Sequence, residues 1–475
     1  MEDGKVRKNY LYNVIYQILI IIIPLITMPY LTRVLGGDGI GRVSYAESVT
    51  AYFVLFASMG ITTFGQRGIS YVRDSLEERS YVFWNTKALE VITSITVLVL
   101  FAVFSLLQKD RTIYLLFAFN IISVLFDVTW FFQGMEEFGK IVLRNVIIKV
   151  LGLISIFAFV KQKSDIYKYV FVYTFFTTVG NISLWGYLPK YIRKVPFHTL
   201  RPFSDIKTVL ELFIPTVAIQ VYTVLDKTMI GLITKNSFEN GYYEQAIAIS
   251  KMALAIVTAL GTVMIPRIGY YYEKGNEEKL TESMYGSYRF VWFLGIPLCF
   301  GLIGVSGNFV GWFYGAEFGK VASLLKILAF LILAIGINNI TGMQYLVPTK
   351  QQNTFTKTVV IGAVTNFLLN SILISFLQST GAAIASVVAE TVIAAVQLYC
   401  VRDKISPKRV ITSGWKSMIA GIVMLLVVLL EGRFLSPSIV HTALMVISGG
   451  AVYFAALLLI KDKYFKSLIT SRKAG

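Results

Sequence analysis

Apolar runs of bilayer length follow one another almost from end to end of this chain. They lie near 10–32, 43–64, 82–107, 112–134, 142–160, 166–188, 208–233, 243–265, 286–306, 322–346, 355–377, 381–401, 414–430 and 439–460. A run of about 20 apolar residues crosses the hydrocarbon core as a helix, because only a helix satisfies its backbone polar groups within one segment. About fourteen such spans take up about 280 of the 475 residues and leave short connections with no sizeable soluble domain. Charged residues make up 15% of the chain, against roughly 25% in a soluble domain. A water-soluble enzyme is excluded, and the expected fold is an all-α integral membrane protein.

The first run follows Lys5, Arg7 and Lys8 and continues past Pro24 and Pro29 to Leu31. That exceeds a signal-peptide core, and no small-x-small cleavage site follows, so a retained first helix is expected. Alternate connections carry the basic residues: Arg67, Arg73 and Arg79, then Lys140 and Arg144, then Lys190 to Lys207, then Arg267, Lys274 and Lys279. The series continues through Lys350 and Lys357, Arg402 to Lys416, and Lys461 to Lys473. About 28 basic residues fall on that side and about 10 on the other, so both termini are expected in the cytoplasm. The net charge of +17 is then topological, and no nucleic-acid partner is expected. Cys299 and Cys400 lie far apart in apolar runs, and His198 and His441 stand alone. No disulfide framework, metal site or cofactor is expected.

Internal repetition is weak but ordered. Gly41 and Gly241, Ala46 and Ala246, and Arg67 and Arg267 recur about 200 residues apart, and Pro24 and Pro215 about 190 apart. The organisation expected is a six-helix lobe over 1–190, a basic cytoplasmic linker over 191–207, a second six-helix lobe over 208–401, and two additional helices with a cytoplasmic tail over 402–475.

Ionisable residues inside spans cost about 2.5–3.5 kcal/mol each on insertion scales and usually face protein or water. The first lobe holds Lys87, Glu90, Asp127 and Lys149, and the second holds Glu211, Asp226, Lys227, Glu244, Lys251, Arg289, Lys326 and Glu390. Near span ends such side chains can simply snorkel. Lys87 and Glu90 are three apart and can neutralise each other. Asp226 and Lys227 are adjacent, about 100° apart on a helix, so at least one needs a partner elsewhere. Lys251 sits among Ala246, Ala248, Ala253 and Ala255, small residues that allow close helix packing. Arg33 closes a span containing Pro24 and Pro29, whose missing N–H groups permit bending.

Aromatic residues fit interface belts and core packing; the Trp130-Phe-Phe-Gln133 run and the Tyr242-Tyr243 pair have stacking on sugar rings as a second reading. Gly36-Gly-Asp-Gly39-Ile-Gly41 lacks the Lys-Ser/Thr of a phosphate loop and reads as a tight extracytoplasmic turn.

Pro24-Leu-Ile-Thr-Met-Pro-Tyr-Leu-Thr-Arg33-Val-Leu-Gly36 followed by Gly39-Ile-Gly41-Arg-Val-Ser-Tyr-Ala46 resembles the opening of Wzx-type polysaccharide flippases. Pro215, Tyr222-Thr-Val-Leu-Asp226-Lys-Thr-Met-Ile-Gly231, Gly241-Tyr-Tyr-Glu-Gln-Ala246 and Thr262-Val-Met-Ile-Pro-Arg267 are similar to that family's second-lobe signature. The resemblance runs from about residue 10 to 460. It implies the MATE-like fold of the multidrug/oligosaccharidyl-lipid/polysaccharide exporter superfamily, with two bundles around a central cavity. It also implies movement of undecaprenyl-pyrophosphate-linked oligosaccharide across the bacterial plasma membrane.

A diphosphate headgroup needs a cationic, water-filled path past hydrocarbon. Arg33, Lys149, Lys227 and Lys251 are the expected headgroup contacts, and Arg67 and Arg267 the expected capture sites at the cytoplasmic mouth; positive-inside anchoring is their plainer role. Asp127, Asp226 and Glu244 are candidates to accept H⁺ or Na⁺, or to neutralise lysines. Other expected partners are membrane lipids and the polysaccharide polymerase machinery. With no nucleotide-binding motif and no covalent chemistry, alternating access by rocking lobes is the expected mechanism.

Three rivals remain. A multidrug or organic-cation antiporter of the same fold is opposed by the lack of any carboxylate between Tyr10 and Leu35. A carrier of the lipid-linked peptidoglycan precursor is opposed only by the family motifs. A polytopic polysaccharide polymerase needs a substantial outer loop, and the outer connections near 234–242 and 307–321 are short.

Overall fold

The structure is a computed structural model that describes residues 2–462 and 464–467, without the side chains of 2–21, 215, 218, 219, 221, 222 and 262. Lys463, Arg472 and Lys473 therefore lie outside the described residues, as do the side chains of Lys5, Arg7, Lys8, Pro215, Tyr222 and Thr262. All the regular secondary structure among the described residues is helical. In order it runs α1 (Glu2–Ser58), α2 (Ile61–Tyr71), α3 (Leu76–Leu106), α4 (Arg111–Leu125), α5 (Thr129–Gly134), α6 (Phe138–Phe159), α7 (Ile166–Leu184) and α8 (Ile206–Thr234). There follow α9 (Ser237–Glu273), α10 (Glu277–Phe313), α11 (Gly319–Leu328), α12 (Leu331–Asn338) with a π-helical continuation over Asn339–Leu346, α13 (Gln352–Leu377), α14 (Ser379–Cys400), α15 (Pro407–Thr412), α16 (Trp415–Phe434) and α17 (Ile439–Leu459).

Among the described residues, ten helices are long and apolar enough to cross a membrane, or eleven if the bent pair Ala316–Leu328 and Leu331–Leu346 is one span. This is a multi-pass helical membrane protein. It divides into two compact units, Met1–Thr228 and Met229–Gly475.

Local chemistry sets the helix ends. Ser75, Asn236, Asn276 and Ser438 each accept a hydrogen bond from a backbone N–H in the first turn of α3, α9, α10 and α17. Such caps satisfy donors that a helix start leaves unpaired. Glu77 and Glu78 in α3, and Glu277 and Glu278 in α10, add negative charge at the positive end of the dipole. Pro24 and Pro29 both lie inside α1; the helix breaks later, at Gly36 (φ 70°, ψ 177°). Glycine alone occupies that region comfortably, so Gly36 makes the break, while residues 37–41, expected to be part of a turn, continue as helix.

In the first unit, Phe83, Trp130, Phe131 and Phe132 are fully buried and share a core with Ile69, Leu184 and Leu188. Gly65 and Gly134 make this packing possible: a Cβ on Gly65 would lie 2.5 Å from the Trp130 ring, and one on Gly134 would lie 2.7 Å from the Gln66 carbonyl. The Trp130-Phe-Phe run is therefore packing and not a sugar platform, which corrects the second reading above. Tyr243 is likewise buried, its hydroxyl 3.1 Å from Ser386 Oγ, and Tyr242 packs edge-on against Phe318.

Candidate functional site

The most buried charges of the first unit are neutralised in place. Lys87 Nζ lies 2.6 Å from Glu90 Oε2, with side chains only 3% and 1% exposed. The same amine donates to the Asp127 carbonyl at 2.8 Å and lies 5.6 Å from the centre of the Trp185 ring. Their spacing on α3 brings them together, since residues three apart share one helix face. Asp127 reaches this cluster through its backbone. Its carboxylate accepts from Thr129 N at 2.8 Å, at the start of α5.

The other candidate cations of this unit are more open. Arg33 is exposed, and its Nη1 donates to the Pro29 carbonyl one turn back at 2.7 Å. Lys149 is half-buried in the apolar helix α6, with no hydrogen bond or ion pair among the described residues. Tyr30 donates to the Val160 carbonyl and its ring packs tilted, 4.5 Å from that of Phe157, so the first segment of α1 and α6, which pack together, end side by side and run in the same direction. Arg33 lies one turn beyond Tyr30 and Lys149 about two turns before Phe157, placing them roughly 16 Å apart along the helix axes. They occupy two levels of the unit and not one site. Asp226 and Lys227 are half-buried on α8, where the next residue, Thr228, donates to Ser48 Oγ at 3.1 Å on α1.

Within the second unit, Glu244 is half-buried on α9 near Tyr314, and Lys251 is exposed two turns further along. Two further carboxylates there are held by polar partners. Glu239 accepts from Lys320 at 2.6 Å and from Ser379, and Glu390 accepts a short hydrogen bond from Asn338, just before the π-helical stretch.

Arg67 and Arg267, the expected mouth residues, share one local geometry. Arg67 Nε donates to Tyr71 OH at 2.7 Å, and Arg267 Nε donates to Tyr271 OH at 3.1 Å; each guanidinium lies 5.6 Å from its tyrosine ring centre. The tyrosines were missed by sequence reasoning, although Arg-x-x-x-Tyr recurs at a spacing of 200 and was there to be read. Arg42 and Asp110 were missed too: the guanidinium grips the carboxylate with two bonds, at 2.9 and 2.8 Å, across 68 residues. No motif announces that pair.

A family model described as polysaccharide biosynthesis protein matches residues 6–272, and one described as lipid II flippase MurJ matches residues 187–454. The chain is 22% identical over 412 residues to an Escherichia coli (strain K12) protein named "Putative O-antigen transporter", covering 84% of this chain and 97% of that one. Among solved structures, it resembles a lipid II flippase MurJ in an inward closed conformation, with a TM-score of 0.72 at 16% identity over 96% of this chain and 100% of that one. It also resembles an inward-facing multidrug resistance MATE family transporter, with a TM-score of 0.61 at 13% identity over 83% and 98% of the two chains. At such identities these two likenesses establish the fold.

Proposed function

The chain belongs to the polysaccharide biosynthesis protein family, that of the Wzx-type flippases, and shares a second family model with the lipid II flippase MurJ; we propose that it moves an undecaprenyl-pyrophosphate-linked oligosaccharide from the inner to the outer leaflet of the bacterial plasma membrane. Lys149 is the observation that carries this reading. A half-buried amine on an apolar helix, with no carboxylate beside it among the described residues, is costly unless it meets an anion or water in the working protein. A lipid diphosphate supplies that anion.

The organisation proposed is fourteen spans. α1 supplies two, on either side of Gly36; α3, α4 with α5, α6 and α7 complete the first lobe. α8, α9, α10, α11 with α12, α13 and α14 form the second lobe, and α16 and α17 lie behind. The lobes are 1–190 and 208–401, joined by 191–207, with both termini cytoplasmic as the basic loops favour. In the cationic cavity we propose, Arg67 and Arg267 meet the headgroup at the cytoplasmic mouth, and Arg33, Lys149, Lys227 and Lys251 carry it onward. The roughly 16 Å between Arg33 and Lys149 suits successive contacts along a path. Alternating access then needs no covalent step, and Asp127, Asp226 and Glu244 are the groups offered for a coupling H⁺ or Na⁺.

The test is deletion of the gene in a host without a redundant exporter, with lipid-linked repeat units followed in each leaflet. Accumulation in the cytoplasmic leaflet, reversed by the wild-type gene, supports the proposal; undiminished outward delivery refutes it. Lipid II is a second reading because the MurJ model matches 187–454. Rescue of a lipid II flippase deletion, with no effect on surface polysaccharide, favours that cargo instead.

A further inference from the structure

The second unit carries a groove of about 1200 Å³ where α9 ends and α10 begins, lined also by Arg409 of α15 and by Tyr464. Three guanidinium groups line it, from Arg267, Arg289 and Arg409, and none forms an ion pair with a carboxylate among the described residues. Aromatic rings hold two of them. Arg409 lies 4.0 Å from the centre of the Tyr285 ring, whose hydroxyl is fixed by the Ser406 N–H at 2.9 Å, and Arg267 bonds Tyr271 OH at 3.1 Å.

The Tyr285 ring occupies the face of the Arg409 guanidinium and leaves its N–H edge, the edge that matches phosphate oxygens, while Arg267 spends Nε on Tyr271 and keeps its two Nη groups. Acids are present as well. Glu277 is engaged by Lys404 at 2.6 Å, and Glu278 and Glu282 line the groove without closing on the arginines. Ser287 adds a second observation: it is 2% exposed, lines the groove, and its hydroxyl has no hydrogen-bond partner among the described residues. Buried hydroxyls normally find a partner. The groove also lies at the end of long apolar helices, where lipid headgroups sit.

We propose that this groove binds the phosphate ester of an anionic membrane lipid, with Arg289 and Arg409 as its main contacts, Arg267 beside them and Ser287 as a short donor. The site recognises a phosphate ester whatever the transported glycan; it shares Arg267 with the function proposed above, and Arg289 and Arg409, which that function does not use, distinguish the two.

The test uses full-length protein in phosphatidylcholine nanodiscs, with fluorescent phosphatidylglycerol as the probe and undecaprenyl pyrophosphate as competitor. Wild type takes up the probe above the level of a zwitterionic control, and the Arg289→Gln/Arg409→Gln variant weakens uptake about tenfold or more, since hydrogen bonds to charged groups are individually strong. Arg409→Lys, which keeps the charge and loses the fork, weakens it severalfold and serves if the double variant folds poorly. Saturable phosphatidylglycerol uptake identifies bulk lipid as the ligand. Arginine-dependent binding of undecaprenyl pyrophosphate alone identifies the cargo lipid; either supports a phosphate-ester site. Uptake no greater than the control for both lipids, or equal affinity in wild type and both variants, overturns it.

Discussion

Lys87 and Lys149 are the same residue type in membrane helices of the same unit, and they meet opposite fates. Lys87 has Glu90 three residues on and the Asp127 carbonyl beside it, while Lys149 has Gly152 three residues on and no partner among the described residues. An intramembrane charge is therefore not by itself a functional mark. What separates a structural lysine from a candidate binding lysine is the residue one turn away and the elements packed against it. Two further pairs with the same spacing extend the comparison toward water: Glu137 with Lys140 at 2.7 Å, and Asp165 with Lys168 at 2.7 Å.

The largest effect is expected at the buried pair. Glu90→Leu alone, or Lys87→Met alone, leaves one charge without its partner in the core and should cost about 3–5 kcal/mol. The double variant Lys87→Met/Glu90→Leu should cost clearly less than either single change, because it removes both charges together. Thermal unfolding of the three purified variants reads the difference. If the double variant is as damaged as the sum of the singles, the two residues do not act as a pair.

Lys149 gives the sharper test. Lys149→Met should leave the unfolding temperature unchanged or raised, since an unpaired half-buried amine is removed, while export of surface polysaccharide falls by about tenfold, equivalent to about 1.4 kcal/mol. Gly152→Glu goes further by giving Lys149 the i+3 partner that Lys87 has. A Cβ at Gly152 meets nothing within 4 Å, so the change should fold, and neutralising the amine should lower export as Lys149→Met does. Normal export in both variants would remove Lys149 from the path and with it the main support for the proposed function. Arg33→Ala and Lys227→Ala, assayed alongside, report whether the remaining cations share that role.

At intermediate depth, Lys140 bonds Glu137, donates to Tyr191 OH and sits 4.7 Å from the Tyr191 ring centre. Glu137→Gln should cost only about 0.5–1 kcal/mol, because the amine keeps the tyrosine and partial exposure screens the pair. A loss as large as that of Glu90→Leu would mean that depth does not govern these pairs.

These contrasts also mark how far the sequence could be read. The helical membrane class follows from apolar runs long enough to span, and the Lys87–Glu90 pairing follows from spacing, because both are local and repeat with the helix. The turn at Gly36 was legible for a similar reason: a glycine cluster between two spans supplies a backbone conformation other residues avoid. Arg42 with Asp110, and Arg79 with the Tyr191 carbonyl, join segments 68 and 112 residues apart, and the sequence holds no local sign of such meetings. Trp130 to Phe132 show the converse. Core packing was the first reading of this run and sugar stacking the second; what the run alone did not say is that Gly65 and Gly134 make room for it in the core, which depends on neighbours distant in the chain. The Arg67–Tyr71 and Arg267–Tyr271 pairs lie between these cases, written in local spacing yet noticed only once both geometries were seen.

Of the three pairs, that with the most exposed lysine, Lys168 at 60% beside an Asp165 side chain at 5%, should show the smallest effect, because water screens the amine, and a dependence on pH. Asp165 accepts from Lys168, and from the backbone N–H groups of Lys161 and Gln162 at 2.9 and 3.2 Å, ahead of α7. Those donors, Lys168 first, hold its pKa below the usual carboxylate value. A carboxylate stabilised in this way favours the folded state fully above its unfolded pKa of roughly 3.9, and the contribution disappears as pH falls through the lower folded value. Unfolding midpoints measured from pH 6 down to pH 3 should therefore fall more steeply in wild type than in Asp165→Asn, with the variant already weaker at pH 6. The curves should converge in acid, where both side chains are uncharged. Parallel curves with a constant gap would assign the effect of Asp165 to its shape at the helix start and not to its charge, and would place the three pairs on different physical footings.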